Sequence, residues 1–283
     1  VYPLIDVLIY SFEEGFNFAS QTYFGIGGYQ RQPEGAYSWQ HLTFVGSLLV
    51  LMVVLAVWLG RRNKRWNMKT KNRVLIWSAI LIDGLELMKI ALSCYEYVRE
   101  GEVWYAGLRN VLPLFLCSIQ LIVIPLAAFT KGYLRDVSAD FVALFGLLGA
   151  ILGTVGAAQN YGCYPVMSFD NVVSGITHSI SGFASLYILI SGMSSMKKQN
   201  MILTFGILIG FCIAAYAANI LIDYNYMFLM AGDGTPYDIL YNLVGGSRVL
   251  YPLGVVSLFL LYIGLYYWVF YMITHKGQKA AAC

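Results

Sequence analysis

Three side chains in this sequence have the types and the placement that a cysteine nucleophile, its base and a group orienting that base require. Cys117 ends the stretch Asn110-Val-Leu-Pro-Leu-Phe-Leu-Cys-Ser-Ile119, His178 lies inside a later apolar run, and Glu86 lies inside an earlier one. A thiolate is the nucleophile, a nearby imidazole lowers the thiol pKa or takes its proton, and a third group orients the imidazole. The plainer readings stand beside this one. A lone membrane cysteine behaves as a small hydrophobe, and a lone interior histidine as a hydrogen-bonding group. Asp83, Glu86 and Lys89 follow one another at i+3. Ionisable groups at membrane depth cost about 2.5–3.5 kcal/mol each on insertion scales and face a bundle interior or a cavity. A Glu86–Lys89 pair one turn apart that only fixes helix register is the structural alternative to an acid that orients the site.

A second set of polar residues is a candidate for substrate binding: Asp83, His41, Asn219, Asn225 and Tyr226. Asn219, Asp223 and Tyr226 fall at i, i+4 and i+7, a polar stripe at the end of one run. Buried amides donate to a carbonyl oxygen or a developing oxyanion; the alternative is a capping network that closes the helix end. His41, next to Trp39, stands at the mouth of the first run. No metal or organic cofactor is expected. The five cysteines show neither CxxC nor Cys/His zinc spacing, and Gly232-Asp-Gly-Thr-Pro236 carries too few acids for a calcium loop. Cys94 and Cys163 could both face the outside and pair there; two unlinked thiols is the favoured reading, since sequence alone does not set the distance a disulfide requires.

The elements that must position these residues are apolar. Hydrophobic residues make up 59% of the chain and charged ones 12%, against roughly 25% charged in soluble domains. That composition predicts an all-α integral membrane protein and excludes a water-soluble fold. Nucleic acid is excluded as a partner, because Lys and Arg cluster between apolar runs. Seven runs approach the roughly 20 residues that a spanning helix requires: 42–60, 74–94, 108–128, 141–158, 172–193, 201–222 and 250–274. The expected organisation is an extracytoplasmic interfacial segment with an amphipathic helix over 1–41, a seven-helix transmembrane domain over 42–274, and a cytoplasmic tail over 275–283. No signal peptide is visible.

The linker 61–73 carries seven basic residues, and alternate loops bring that side to thirteen against four on the other. The positive-inside rule then places the N-terminus outside and the C-terminus in the cytoplasm. Counted from the outer ends, Cys117 lies about 13 Å deep, His178 about 9 Å and Glu86 about 12 Å at 1.5 Å per residue. They share one layer of the outer half of the bilayer. Gly146, Gly149, Gly153 and Gly156 form one stripe, and Gly206 and Gly210 another; small residues let membrane helices approach closely.

Gln40-His41-Leu42, Leu112-Pro-Leu-Phe-Leu-Cys117, His178, Asn225-Tyr-Met-Phe-Leu229 and Pro236 occur in this order. The ordered set resembles the YwaF-like family of bacterial integral membrane proteins. A eukaryotic branch that looks related moves fatty acyl chains between phospholipids through a cysteine. The resemblance implies that Cys117 accepts the acyl chain, that His178 is its base, and that a lysophospholipid hydroxyl receives the chain. Membrane phospholipids would be the partners and the bacterial plasma membrane the location. The family motif commonly has His where Phe115 stands, which puts the activity of this member in question. Two other classes remain: a non-catalytic lipid-binding or scaffolding subunit of a membrane complex, and an ion- or proton-coupled transporter using Asp83, Glu86 and Lys89.

Overall fold

Ser38 starts the first long helix. Its hydroxyl accepts from the His41 N–H at 3.2 Å, the side-chain bond that satisfies an orphan donor at a helix start. Helix α1 then runs Trp39–Asn63. A computed structural model describes residues 31–99, 101–194 and 196–280, and every regular element among them is helical. The amphipathic helix expected before residue 31 lies outside the described residues.

After α1 come α2 (Met68–Arg99), a 3-10 turn (Trp104–Asn110), α3 (Gln120–Phe129), α4 (Gly132–Thr154), α5 (Ala158–Cys163), α6 (Phe169–Ser191) and α7 (Lys198–Ile222). A second 3-10 turn (Tyr226–Phe228), α8 (Tyr237–Leu243) and α9 (Leu250–Ala280) complete the order. Among the described residues five stretches are long and apolar enough to cross a membrane: Trp39–Asn63, Gly132–Cys163, Phe169–Ser191, Lys198–Ile222 and Leu250–Ile273. Helix α2 has the length, at 32 residues, but carries Asp83, Glu86 and Lys89 in its middle.

The continuous helix expected over 108–128 does not form. Only Gln120–Phe129 is α-helical, and residues 111–119 are turns. Pro113 supplies the reason: it has no N–H to donate, and its ring drives Leu112 out of the helical region. The chain turns there through a Leu114 N–H to Leu112 carbonyl bond of 2.7 Å. Cys117 therefore sits in an irregular approach to a ten-residue helix and not two turns inside a long one.

Helix α6 is the axis of the fold. Its apolar window is 61% buried, against 17% for α1 and 22% for both α7 and α9. It packs most extensively on α4, then on α1, and also against α2. The glycines of α4 permit this. A Cβ at Gly146 would stand 2.6 Å from the Ser181 carbonyl oxygen. Across the interface, a Cβ at Gly182 would stand 2.6 Å from the Ala150 Cβ. The expected second seam is absent: Gly210 has no neighbour within 4 Å, and Gly206 meets only its own helix's Leu203 at 3.9 Å. Those two glycines face outward beside exposed Ile202, Ile209 and Ile213.

Two buried polar knots fix the far end of the bundle. Asp140 on α4 accepts from Ser194 Oγ at 2.5 Å, Asn200 Nδ2 at 2.7 Å and Tyr267 OH at 3.1 Å. Lys71 on α2 donates to the Ser191 carbonyl at 2.7 Å, at the C-terminal end of α6, where the helix dipole favours a cation.

Candidate functional site

His178 lies on α6, whose first turn is capped by Ser168 and whose last residue precedes Gly192 at φ 70°. Its Nδ1 stands 2.7 Å from the Ser174 carbonyl oxygen, with the Ser174 hydroxyl at 3.3 Å. A carbonyl can only accept, so Nδ1 carries the proton and Nε2 keeps its lone pair. The Nε2 edge of the ring fills the space above Gly153, where a Cβ would come within 2.1 Å of it. The Cys117 thiol lines the same small cavity as this imidazole. Cys117 in turn rests on Gly149, whose Cβ position is 3.7 Å from its own Cβ. Gly153 thus makes room for the ring, while a Cβ at Gly149 would meet Cys117 at ordinary contact distance.

Both side chains are half-buried and open onto a cavity of about 60 Å³. Glu86, Lys89, Ser118, Thr177 and Ser181 also line it. Ser118 Oγ is 4.0 Å from Cys117 Sγ. Thr177 donates to the Ser174 carbonyl at 3.0 Å. Glu86 thus shares the cavity with Cys117 and His178, while the group bonded to His178 Nδ1 is the backbone of Ser174. No Glu86–Lys89 ion pair forms; the ion pairs among the described residues are Arg31–Glu34 and Arg135–Asp136.

The residues expected to bind substrate stand elsewhere. Asp83 does not line the cavity, and its Oδ1 is buried without a hydrogen-bond partner. His41 is fully buried, with Nδ1 accepting from the Tyr37 N–H at 2.9 Å. Its Nε2 donates to the Thr154 carbonyl at 3.2 Å, and its ring stacks on Tyr161 at 3.9 Å between centroids. Both of its nitrogens are thereby occupied.

Asn219 and Tyr226 close on each other: Asn219 Nδ2 donates to the Tyr226 carbonyl at 3.1 Å, and the Tyr226 N–H donates to Asn219 Oδ1 at 2.6 Å. Asn225 accepts from the Met230 N–H at 2.8 Å and donates to the Ala231 carbonyl at 2.8 Å. The capping network is the arrangement observed. This loop grips the segment that carries the cysteine. Tyr226 OH donates to the Arg109 carbonyl, and Arg109 donates to the Asp223 carbonyl. Burial pushes the Tyr226 phenol up to about 12, so it stays a donor throughout the physiological range. Phe115 sits edge-on to Tyr226 at 5.4 Å and to Tyr224 at 6.3 Å, and also meets Phe228 at 6.1 Å. It is a wedge in this aromatic group and does not line the cavity.

Sequence reasoning passed over Ser174, Thr177 and Ser181. Their signal was present, because together with His178 they fall at i, i+3, i+4 and i+7, one polar face of an otherwise apolar helix. Among the described residues no cluster of three or more His, Cys, Asp and Glu side chains could hold a metal ion. Cys94 and Cys163 are free thiols.

The family model described as the TMEM164 family covers residues 36–276. No curated protein and no solved structure matches.

Proposed function

The chain belongs to the TMEM164 family of membrane proteins, and on that premise we propose that it is a cysteine-dependent phospholipid acyltransferase. One observation carries the reading. His178 has its Nδ1 proton committed to the Ser174 carbonyl, and its ring lines a small polar cavity together with Cys117, with Nε2 left free to act as a base.

The thiol proton passes to Nε2, leaving a thiolate and an imidazolium that the Ser174 carbonyl stabilises through Nδ1. The thiolate adds to an ester carbonyl carbon of a phospholipid, and the carbonyl electron pair moves onto oxygen. Collapse breaks the bond to the lysophospholipid oxygen, which takes the proton from Nε2, and a thioester remains on Cys117. A second lysophospholipid then gives its hydroxyl proton to Nε2 and attacks the thioester. Cys117 departs as thiolate and recovers its proton. Each step balances with the two lipids and these side chains alone.

A cavity of about 60 Å³ has room for an ester group, a few waters' worth of volume, and not for a fatty chain. The chain would lie along the lipid-facing apolar surface, with only its carbonyl inserted. The wider reading is a YwaF-like protein of the bacterial plasma membrane. In it α2 and α3 complete seven membrane segments, with the N-terminus outside and the site in the outer half of the bilayer. The turns at 111–119 suit that position, because irregular backbone at membrane depth is tolerated where protein covers it or where it lines a cavity.

The test is chemical. Purified protein is incubated with a phospholipid labelled in its acyl chain, and Cys117 is examined for a hydroxylamine-sensitive adduct. Wild type should carry the adduct and exchange acyl chains with lysophospholipid, and Cys117→Ala should do neither. Identical behaviour of the two proteins in both measurements would end the enzyme reading.

A further inference from the structure

The addition step above places a negative charge on the former carbonyl oxygen, and a site that carries out this chemistry holds a donor for it. The cavity offers few candidates. The Thr177 hydroxyl donates to the Ser174 carbonyl, and the Ser181 hydroxyl reaches the Gly146 carbonyl at 3.5 Å. The Ser174 hydroxyl oxygen lies 3.3 Å from the protonated His178 Nδ1 and accepts there, which leaves its own proton free. The imidazolium Nε2 proton is reserved for the leaving oxygen. Glu86, on the same wall, opposes an oxyanion unless a cation offsets it.

Lys89 is the charged donor of this wall. It lies one turn beyond Glu86 on α2, is half-buried, and lines the cavity with Cys117 and His178. Among the described residues its ammonium forms neither an ion pair nor a hydrogen bond to a protein acceptor. A cation within an apolar bundle, costly at that depth and without a carboxylate partner, is positioned to receive negative charge from something that enters.

We propose that Lys89 is a catalytic residue whose ammonium binds the oxyanion formed when Cys117 adds to the ester carbonyl. This assignment rests on the acyltransferase reading, and its test separates the two. The full-length protein and its Lys89→Met and Lys89→Arg variants are treated with a nitrophenyl fatty ester, and acylation of Cys117 is followed in a single turnover. In parallel, Cys117 is alkylated with iodoacetamide, a displacement at saturated carbon that requires the thiolate but builds no oxyanion. Acylation should fall about 10²–10³-fold in Lys89→Met and recover in large part in Lys89→Arg. Alkylation should stay at the wild-type rate in both. Unchanged acylation in Lys89→Met overturns the assignment. Parallel loss of alkylation overturns it too, because Lys89 would then act on the thiolate or on the fold. If wild type is acylated in a Lys89-dependent manner but passes nothing to lysophospholipid, the transfer reading falls and the oxyanion role stands. A wild-type Cys117 that the nitrophenyl ester does not acylate defeats both.

Discussion

At the scale of single residues, the site depends on atoms that are missing as much as on those present. Gly153 has no Cβ, and one built there would stand 1.9 Å from His178 Cδ2. Gly153→Ala should therefore displace the imidazole. A displacement of about 1 Å costs on the order of 10²-fold in rate, so acylation of Cys117 should fall by about that factor. Alanine is also the better helix former, so thermal unfolding of the solubilised protein should show the variant folded while the acylation assay shows the loss. His178→Gln removes the base without emptying the space and should cost about 10²–10⁴-fold in acylation. The sequence displayed these glycines as a stripe at helical spacing, and close packing was the legible meaning. Which glycine admits a helix and which admits the His178 ring is not in the spacing. It follows from what stands opposite, and that differs between Gly146 and Gly153.

At the scale of elements, the turn at Pro113 and the loop after α7 act together. Pro113 denies residues 111–119 a helix, and the loop holds them through Tyr226, Arg109 and the aromatic contacts of Phe115. Phe115→Ala removes a wedge shared by three rings. It should cost about 3 kcal/mol, the low end for loss of a packed phenylalanine, measurable as a lowered unfolding midpoint in mild detergent. Phe115→His keeps a flat ring at the position and should leave acylation near the wild-type rate, since the residue does not line the cavity. A large loss in that variant would show that the position takes part in the chemistry. The sequence carried the pieces of this clamp, Asn219, Asn225 and Tyr226, but their partner is a segment more than a hundred residues earlier, which local spacing does not reveal.

At the scale of the whole molecule, α6 is enclosed while α1, α7 and α9 present apolar surface outward. Asp140 joins α4, α7 and α9 around one buried carboxylate. Asp140→Ala leaves the Ser194 and Asn200 donors without this acceptor and should destabilise the bundle by about 1–3 kcal/mol for each, read as a drop in unfolding temperature. The fraction that folds should still acylate Cys117. Orientation is testable through the exposed Cys163. With the other cysteines replaced, a membrane-impermeant maleimide should label Cys163 from the outer face of intact cells. A cysteine introduced at Lys64 should react only in inverted vesicles. The reverse pattern would invert the proposed topology.

Composition alone determined that this chain is helical and membrane-embedded, because so few charges cannot clothe a protein in water. Run lengths located all five of the long apolar helices. Two features of the sequence, the cysteine after Leu-Pro-Leu-Phe-Leu and the histidine in a later apolar run, marked the pair that meets. Only the tertiary structure decided how they meet. The His178 ring is oriented by a backbone carbonyl one turn away, Glu86 shares the wall with a Lys89 that is unpaired among the described residues, and Phe115 lies outside the cavity. The physical reason is common to all three. A side chain's type and its depth along an axis are written locally, but its partner is set by the rotation and close approach of helices, and those depend on every contact at once.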